Sequence, residues 1–263
     1  MTLAAHGLAV GFRGRVVGRA IELAIAAGEV VCILGPNGSG KTTLLRTLLG
    51  LLAPLEGTVM VDDRALGEWP VRERARRLAY VPQAAESYFD FSVLEMVEMG
   101  RSAHRGVFAR PGARDLARSL GALERLGIAT LADRPIHAVS GGERQLTLIA
   151  RALATEATHI LMDEPAANLD FGNQSRVLDE IARLRDSGAA VVFSTHHPDH
   201  ALAIADRVVM IRDGSTMAAG ATAQVVNSEN LSALYGRRVE VALVASGQGT
   251  PRLACFPSTG RTT

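Results

Sequence analysis

Apolar and polar positions alternate with different periods along the chain, and each change of period marks an element. Residues 8–12 (LAVGF) and 16–25 (VVGRAIELAI) carry strand-like patterns around a glycine turn, which predicts an antiparallel sheet. Residues 30–34 (VVCIL) are a continuous apolar run of strand length, followed by a glycine-rich turn and by TTLLRTLLGLL, whose spacing fits a helix. Residues 57–61 and 78–81 read as further strands, with the arginine-rich VRERARR between them as a solvated helix or loop. From Ser92 to about Ala154 strand signals vanish, and SVLEMVEMGR, ARDLARSLGALERLG and GERQLTLIARALA predict three helical stretches. Buried-strand patterns return at residues 159–162 (HILM) and 189–193 (AAVVF), with an amphipathic helix over 174–185 between them and a late strand over 207–211. The expected fold class is therefore α/β, a parallel sheet with an antiparallel start and a helical insertion. Residues 1–245 are expected as one unit with the insertion at about 84–157, and residues 246–263 as a polar, disordered tail.

Composition narrows the function classes. A chain of 263 residues, 48% apolar and 21% charged, suits one well-packed core and excludes a disordered tail or an integral membrane protein. No apolar stretch approaches the roughly 18 to 20 residues that span a bilayer, and the start, MTLAAHGLAVGFRGR, lacks a signal peptide's apolar segment, so a cytoplasmic location is expected. Basic and acidic residues nearly cancel, at 28 against 27, so no nucleic-acid partner is expected from bulk charge. Cys32 and Cys255 are too few for a disulfide framework or a cysteine-based metal site, and Cys32 reads as a small buried apolar residue. Lys41 is the one lysine among those 28 basic residues, which points to a position where guanidinium will not serve.

Gly35, Pro36, Asn37, Gly38, Ser39, Gly40, Lys41 and Thr42 match G-x-x-x-x-G-K-[ST] directly after a buried strand and at the start of a helix. Glycines let successive backbone N–H groups face phosphate oxygens, the helix dipole adds positive potential, and Lys41 supplies a compact cation; Thr42 is a candidate Mg²⁺ ligand. The strand HILM runs into Asp163 and Glu164 at the carboxyl end of a parallel sheet, where such folds bind ligands. Asp163 is expected to hold Mg²⁺ through water and Glu164 to polarise the attacking water, rather than both merely capping a helix before Pro165. Ser140, Gly141, Gly142 and Glu143 open an apolar-periodic helix and form a second candidate anion site. His196, His197, Asp199 and His200 crowd five positions; a metal site is disfavoured because Pro198 interrupts the helix that His196 and His200 would need to share.

The order phosphate loop, SGGERQ and then DEP resembles that of ATP-binding cassette (ABC) ATPases, and the resemblance runs over most of the chain. It implies a P-loop nucleotide-binding domain with an N-terminal antiparallel β subdomain and an inserted α-helical subdomain. It further implies that Gln83, in YVPQ, reaches Mg²⁺ and the nucleophilic water; that Phe12 stands where a tyrosine usually stacks on adenine; and that Thr43 completes the phosphate site. Residues 167–170, Ala167, Asn168, Leu169 and Asp170, resemble the D-loop at the subunit interface, with Ala167 and Asn168 in place of the commoner serine and alanine. Glu143 stands where glutamine is commoner, and His196 resembles the switch histidine that donates to the γ-phosphate, with His197 and His200 as surface residues.

Implied partners are a second copy of the chain, ATP being clamped between one phosphate loop and the other copy's SGG helix, and integral-membrane permease subunits with a solute-binding protein acting through them. The implied location is the cytoplasmic face of the membrane. Residues 89–101 (Phe89 to Arg101), His104, 168–174 (NLDFGNQ), 195–201 (THHPDHA) and 231–236 (LSALYG) are most similar to the ATPases of metal-chelate importers for iron-siderophore, haem or cobalamin, and of their molybdate and tungstate relatives. Leu94, Met96, Val97 and Met99 are either an apolar surface for the permease or plain helical core. The readings from other classes are a nucleic-acid-associated ABC-type ATPase and a stand-alone P-loop kinase.

Overall fold

The computed structural model describes residues 2–83, 90–105, 110–167, 169–245 and 251–257; Phe89, Asn168 and, in the tail, residues 246–250 and 258–263 lie outside the described residues. Strands β1 (Thr2–Phe12) and β2 (Arg15–Ala26) pair antiparallel across the Arg13–Gly14 turn, which sets Phe12 opposite Arg15. Alternate residues of β2, Ile21, Leu23 and Ile25, are buried, as the period-2 pattern requires.

Strand β3 (Val30–Leu34) is buried along its whole length because it separates two cores. Val30, Cys32 and Leu34 face one cluster and Val31 and Ile33 the other, since successive side chains leave a strand on opposite faces. Helix α1 (Lys41–Leu48) follows the phosphate loop and packs Leu44, Leu45 and Leu48 into the second cluster. Strand β4 (Glu56–Val61) pairs with β1, and the short β5 (Arg64–Ala65) closes a four-stranded sheet of order β2-β1-β4-β5. The stretch VRERARR forms α2 (Val71–Arg77), a helix with no buried residue, and leads into β6 (Leu78–Val81).

Three helices follow, α3 (Val93–Glu98), α4 (Ala113–Arg125) and α5 (Gly141–Ala154). Helix α3 starts at a capping box, with Glu95 N donating to Ser92 Oγ and Ser92 N donating to Glu95. The helix expected through Arg101 tightens into a 3₁₀ segment over Met99–His104, where a Cβ on Gly100 would lie 2.2 Å from the Arg151 carbonyl. Close approach of this segment to α5 explains the change of pitch. Arg101, 3% exposed, ties the helices together through Asp115 Oδ1 at 3.1 Å, the Ala154 carbonyl at 2.7 Å and Glu156 Oε2 at 2.9 Å. Val97 is fully buried in the core, so of the four apolar residues named above Met99 is the exposed one.

Strand β7 (His159–Asp163), α6 (Phe171–Asp186), β8 (Ala190–Thr195), α7 (Pro198–Ile204), β9 (Arg207–Arg212) and β10 (Ser215–Ala221) complete a six-stranded sheet of order β10-β9-β3-β8-β7-β6, parallel except for β10. Helices α8 (Thr222–Val225) and α9 (Ser228–Tyr235) precede a hairpin of β11 (Val239–Val244) and β12 (Arg252–Pro257). The strand β12 departs from the expected tail. Val241 and its cross-strand neighbour Cys255 pack against the core, and Cys255 N donates to Asp199 Oδ1 at 3.0 Å, which anchors a short segment whose run RLACFP has no alternation to announce a strand. Among the described residues no helix is long and apolar enough to cross a membrane.

Candidate functional site

A cavity of about 620 Å³ lies at the carboxyl ends of β3 and β7, lined by Phe12 from β1, by Asn37, Gly38, Gly40, Lys41, Thr42 and Thr43 around the phosphate loop, and by Gln83, Glu164 and His196. The parallel sheet puts the loops after its strands on one edge, so residues far apart in sequence meet there. Phe12 is 49% exposed and faces this cavity rather than the core.

Gly38 and Gly40 hold φ of +82° and +101°, left-handed values that side chains avoid, and a Cβ on Gly40 would meet Val17 Cγ1 at 2.8 Å. This wrapping turns the loop around the start of α1. Lys41, 5% exposed, donates to the carbonyls of Gly35 at 2.8 Å and Pro36 at 3.1 Å, and its ammonium lies 3.2 Å from Glu164 Oε1. Ser39 Oγ is buried with no protein partner among the described residues, a donor left for a ligand oxygen.

Glu164 links three elements. Its φ of +47° is unusual for a side-chain-bearing residue and turns the chain sharply after β7. Its carboxylate reaches Lys41 with one oxygen and, with Oε2, His196 Nδ1 at 3.0 Å. Its N–H donates to Ser194 Oγ at 3.0 Å, and the Ser194 hydroxyl in turn donates to Asp163 Oδ1 at 2.7 Å. Asp163 is 2% exposed and does not line the cavity wall. One buried hydroxyl on β8 therefore fixes both acids at the carboxyl end of β7.

Pro198 is the first residue of α7, so His196 precedes the helix while His200 lies within it. The two rings serve different partners, His196 on Glu164 and His200 Nδ1 at 3.4 Å from Thr195 Oγ1. His200 is half-buried, not a surface residue as the sequence suggests; burial, with the neighbouring His197 second, pushes its pKa down to about 4. His197 is exposed.

Ser140, Gly141, Gly142, Glu143 and Asp170 do not line the cavity of their own chain. Ser140 caps α5: its Oγ accepts from Glu143 N at 3.3 Å, and its N–H donates to Glu143 Oε2 at 2.8 Å, which lowers the Glu143 pKa and engages that carboxylate in the cap. Ser140 and Gly141 are exposed, and nothing lies within 4 Å of a Cβ built on Gly141. Asp170 caps α6 by accepting from Asn173 N at 2.9 Å. Sequence reasoning missed Arg15 and Val17 on the cavity wall and Ser194 behind it. The turn at Arg13–Gly14 is a signal that could have found Arg15, because a two-residue hairpin sets it beside Phe12.

Thr42 and Gln83 on the wall and the Asp163 carboxylate make a donor set of hard oxygens, which suits Mg²⁺ rather than a softer ion. The unpartnered Ser39 hydroxyl, the ammonium of Lys41 and the N-terminus of α1 suit a polyphosphate.

Residues 19–167 match the family model for ABC transporters. The chain is 42% identical over 244 residues to the hemin import ATP-binding protein HmuV of Rhodococcus jostii, covering 92% of this chain and 82% of that protein. It is 35% identical over 242 residues to a probable iron chelatin transport ATP-binding protein of Helicobacter pylori, covering 91% and 95%. A solved ABC transporter in an inward-facing conformation, described as being of metal-chelate type, superposes with a TM-score of 0.86 at 33% identity, over 98% of this chain and 97% of the other.

Proposed function

This chain belongs to the ABC transporter family as an ATP-binding subunit, and from that premise we propose that it hydrolyses ATP to drive import of a metal chelate such as haem, cobalamin or an iron chelate. The convergence of Lys41, Glu164 and His196 on one cavity carries the proposal. Lys41 neutralises charge on the terminal phosphates, leaving the carboxylate of Glu164 to accept a proton from water, and His196 donates to the γ-phosphate. Phosphoryl transfer to water needs positioning and charge neutralisation more than covalent chemistry. Thr42, Gln83 and, through water, Asp163 would hold Mg²⁺, which when bound neutralises phosphate charge.

Ser140, Gly141 and Gly142 are exposed or half-buried at the start of α5 and away from their own cavity, which supports their meeting ATP held by a second copy. Asp170, beside that face, belongs to the same proposed contact. A smaller cavity of about 240 Å³ between β6, the 3₁₀ segment and α5, lined by Tyr80, Met99, Gly100 and Arg151, supports docking of a permease helix, and with it a peripheral position on the cytoplasmic face. A solute-binding protein then acts through the permease. The relatives named above support a metal chelate in preference to molybdate or tungstate.

The test is co-purification with permease subunits from membranes, then ATPase assays with binding proteins loaded with haem, cobalamin or ferric siderophore. Stimulation by one of them is expected. Turnover indifferent to all three and raised by DNA would overturn the proposal.

A further inference from the structure

The switch residue His196 is held from outside its own loop. Within the loop, His197 N donates to Thr195 Oγ1 at 3.0 Å, and His200 Nδ1 lies 3.4 Å from the same oxygen, so residues 195–200 fold on themselves. The outside restraint comes from the Tyr235 hydroxyl, which donates to the His196 carbonyl at 2.8 Å. Tyr235 is the last residue of α9, a helix fixed by the Asn227 cap and by Leu231 and Leu234, which are 0% and 1% exposed. Burial, with the nearby Cys32, Cys255 and Asp199 adding to it, raises the Tyr235 pKa, so the hydroxyl stays protonated and remains a donor. Cys255 N on Asp199 Oδ1 adds a second link between the carboxyl-terminal elements and the first turn of α7.

We infer that Tyr235 is a positioning residue for His196, so that α9 belongs to the hydrolytic machinery without touching nucleotide; this rests on the catalytic reading of His196 given above. The ring of His196 is committed to Glu164 Oε2 at 3.0 Å while its carbonyl is committed to Tyr235. Side chain and main chain are thus pinned at opposite ends, and displacement of one moves the other. Hydrogen bonds weaken steeply away from their best geometry, and misplacement by about 1 Å costs on the order of a hundredfold in rate.

Tyr235→Phe removes the hydroxyl and keeps the ring. In steady-state phosphate release by the full chain, kcat is expected to fall roughly five- to tenfold, with KM for MgATP changed by less than about twofold. In a His196→Ala background the same substitution is expected to change the residual rate by less than about twofold, because nothing is left to position. An unchanged kcat in Tyr235→Phe overturns the inference. So does an equal fractional loss in the His196→Ala background, which marks a general structural effect instead. If His196→Ala alone turns over at the wild-type rate, the catalytic reading of His196 fails, and the inference built on it fails with it.

Discussion

Lys41 Nζ sits 3.2 Å from Glu164 Oε1, with the two side chains only 5% and 9% exposed, so the cation proposed to recognise phosphate and the carboxylate proposed to activate water hold each other in place. Neutralising the carboxylate separates these roles. Glu164→Gln keeps the shape and leaves Lys41 its two carbonyl partners, Gly35 and Pro36. ATP binding is expected to persist while turnover falls about 10²- to 10⁴-fold, the range for loss of a general base. Nucleotide titration, phosphate release and size-exclusion chromatography in ATP check this, the last expected to show a stable dimer. Steady-state hydrolysis at the normal rate would remove Glu164 from the role of base.

Ser194 is a sharper test of how the acids are set. It accepts from Glu164 N and donates to Asp163 Oδ1, with 0% exposure. Ser194→Ala strands a buried N–H and weakens the hold on a buried carboxylate, at a cost of about 1 to 3 kcal/mol per unsatisfied group. A lower Tm is expected, together with a higher Mg²⁺ concentration for half-maximal ATPase, because Asp163 loses its orientation. A drop in Tm with an unchanged Mg²⁺ dependence would confine Ser194 to a packing role.

Legibility followed the range of the interactions. β3 could be read to the residue because a strand buried on both faces is a continuous apolar run, and β6 because its run LAYV is set off by the charged VRERARR before it and Pro82 after it. The phosphate loop could be read because it is one short motif between a buried strand and a helix, and the two acids because a buried strand runs straight into them, whereas His196 stands out only through the resemblance; that the loop, Glu164 and His196 line one cavity follows from the parallel sheet. VRERARR left helix and loop open, since no apolar stripe distinguishes them in a helix that buries nothing. Ser194, Tyr235 and Cys255 of β12 each hydrogen-bond to a residue far away in sequence, 31 positions to Asp163, 39 to His196 and 56 to Asp199, and no local pattern encodes such contacts.

Gly141 offers a test of the two-copy site that spares the fold. A Cβ there meets nothing within 4 Å, so Gly141→Asp is expected to leave Tm within about 2 °C, as surface changes usually do. The new carboxylate would face the phosphate of ATP bound by the other copy, and like charges repel where a helix N-terminus would otherwise attract. ATP-dependent dimerisation and turnover are expected to be lost together, measurable by light scattering and phosphate release. A dimer that still forms in ATP would detach Gly141 from the interface.

Acid stability follows from two histidines kept neutral by the fold. His159 is 1% exposed, its Nδ1 shares the Thr158 hydroxyl at 3.0 Å, and its Nε2 has no partner among the described residues. Burial lowers its pKa and outweighs Asp62 and the Arg77 backbone, which favour the charged form; His200, beside His197 and Asp199, falls to about 4. In the unfolded chain both return to an ordinary value of about 6.5, so below that pH the unfolded chain binds protons first and folding stability declines. Above about pH 7 both are neutral in either state and contribute no slope. Tm is therefore expected to be flat from about pH 8 to 7 and to fall between about pH 6.5 and 5. His159→Leu replaces the titrating ring with an apolar side chain, so its profile should be shallower over the same window, read by calorimetry in buffers of matched ionic strength. A slope identical to the parent's would show that His159 takes up its proton as readily folded as unfolded, contrary to its burial.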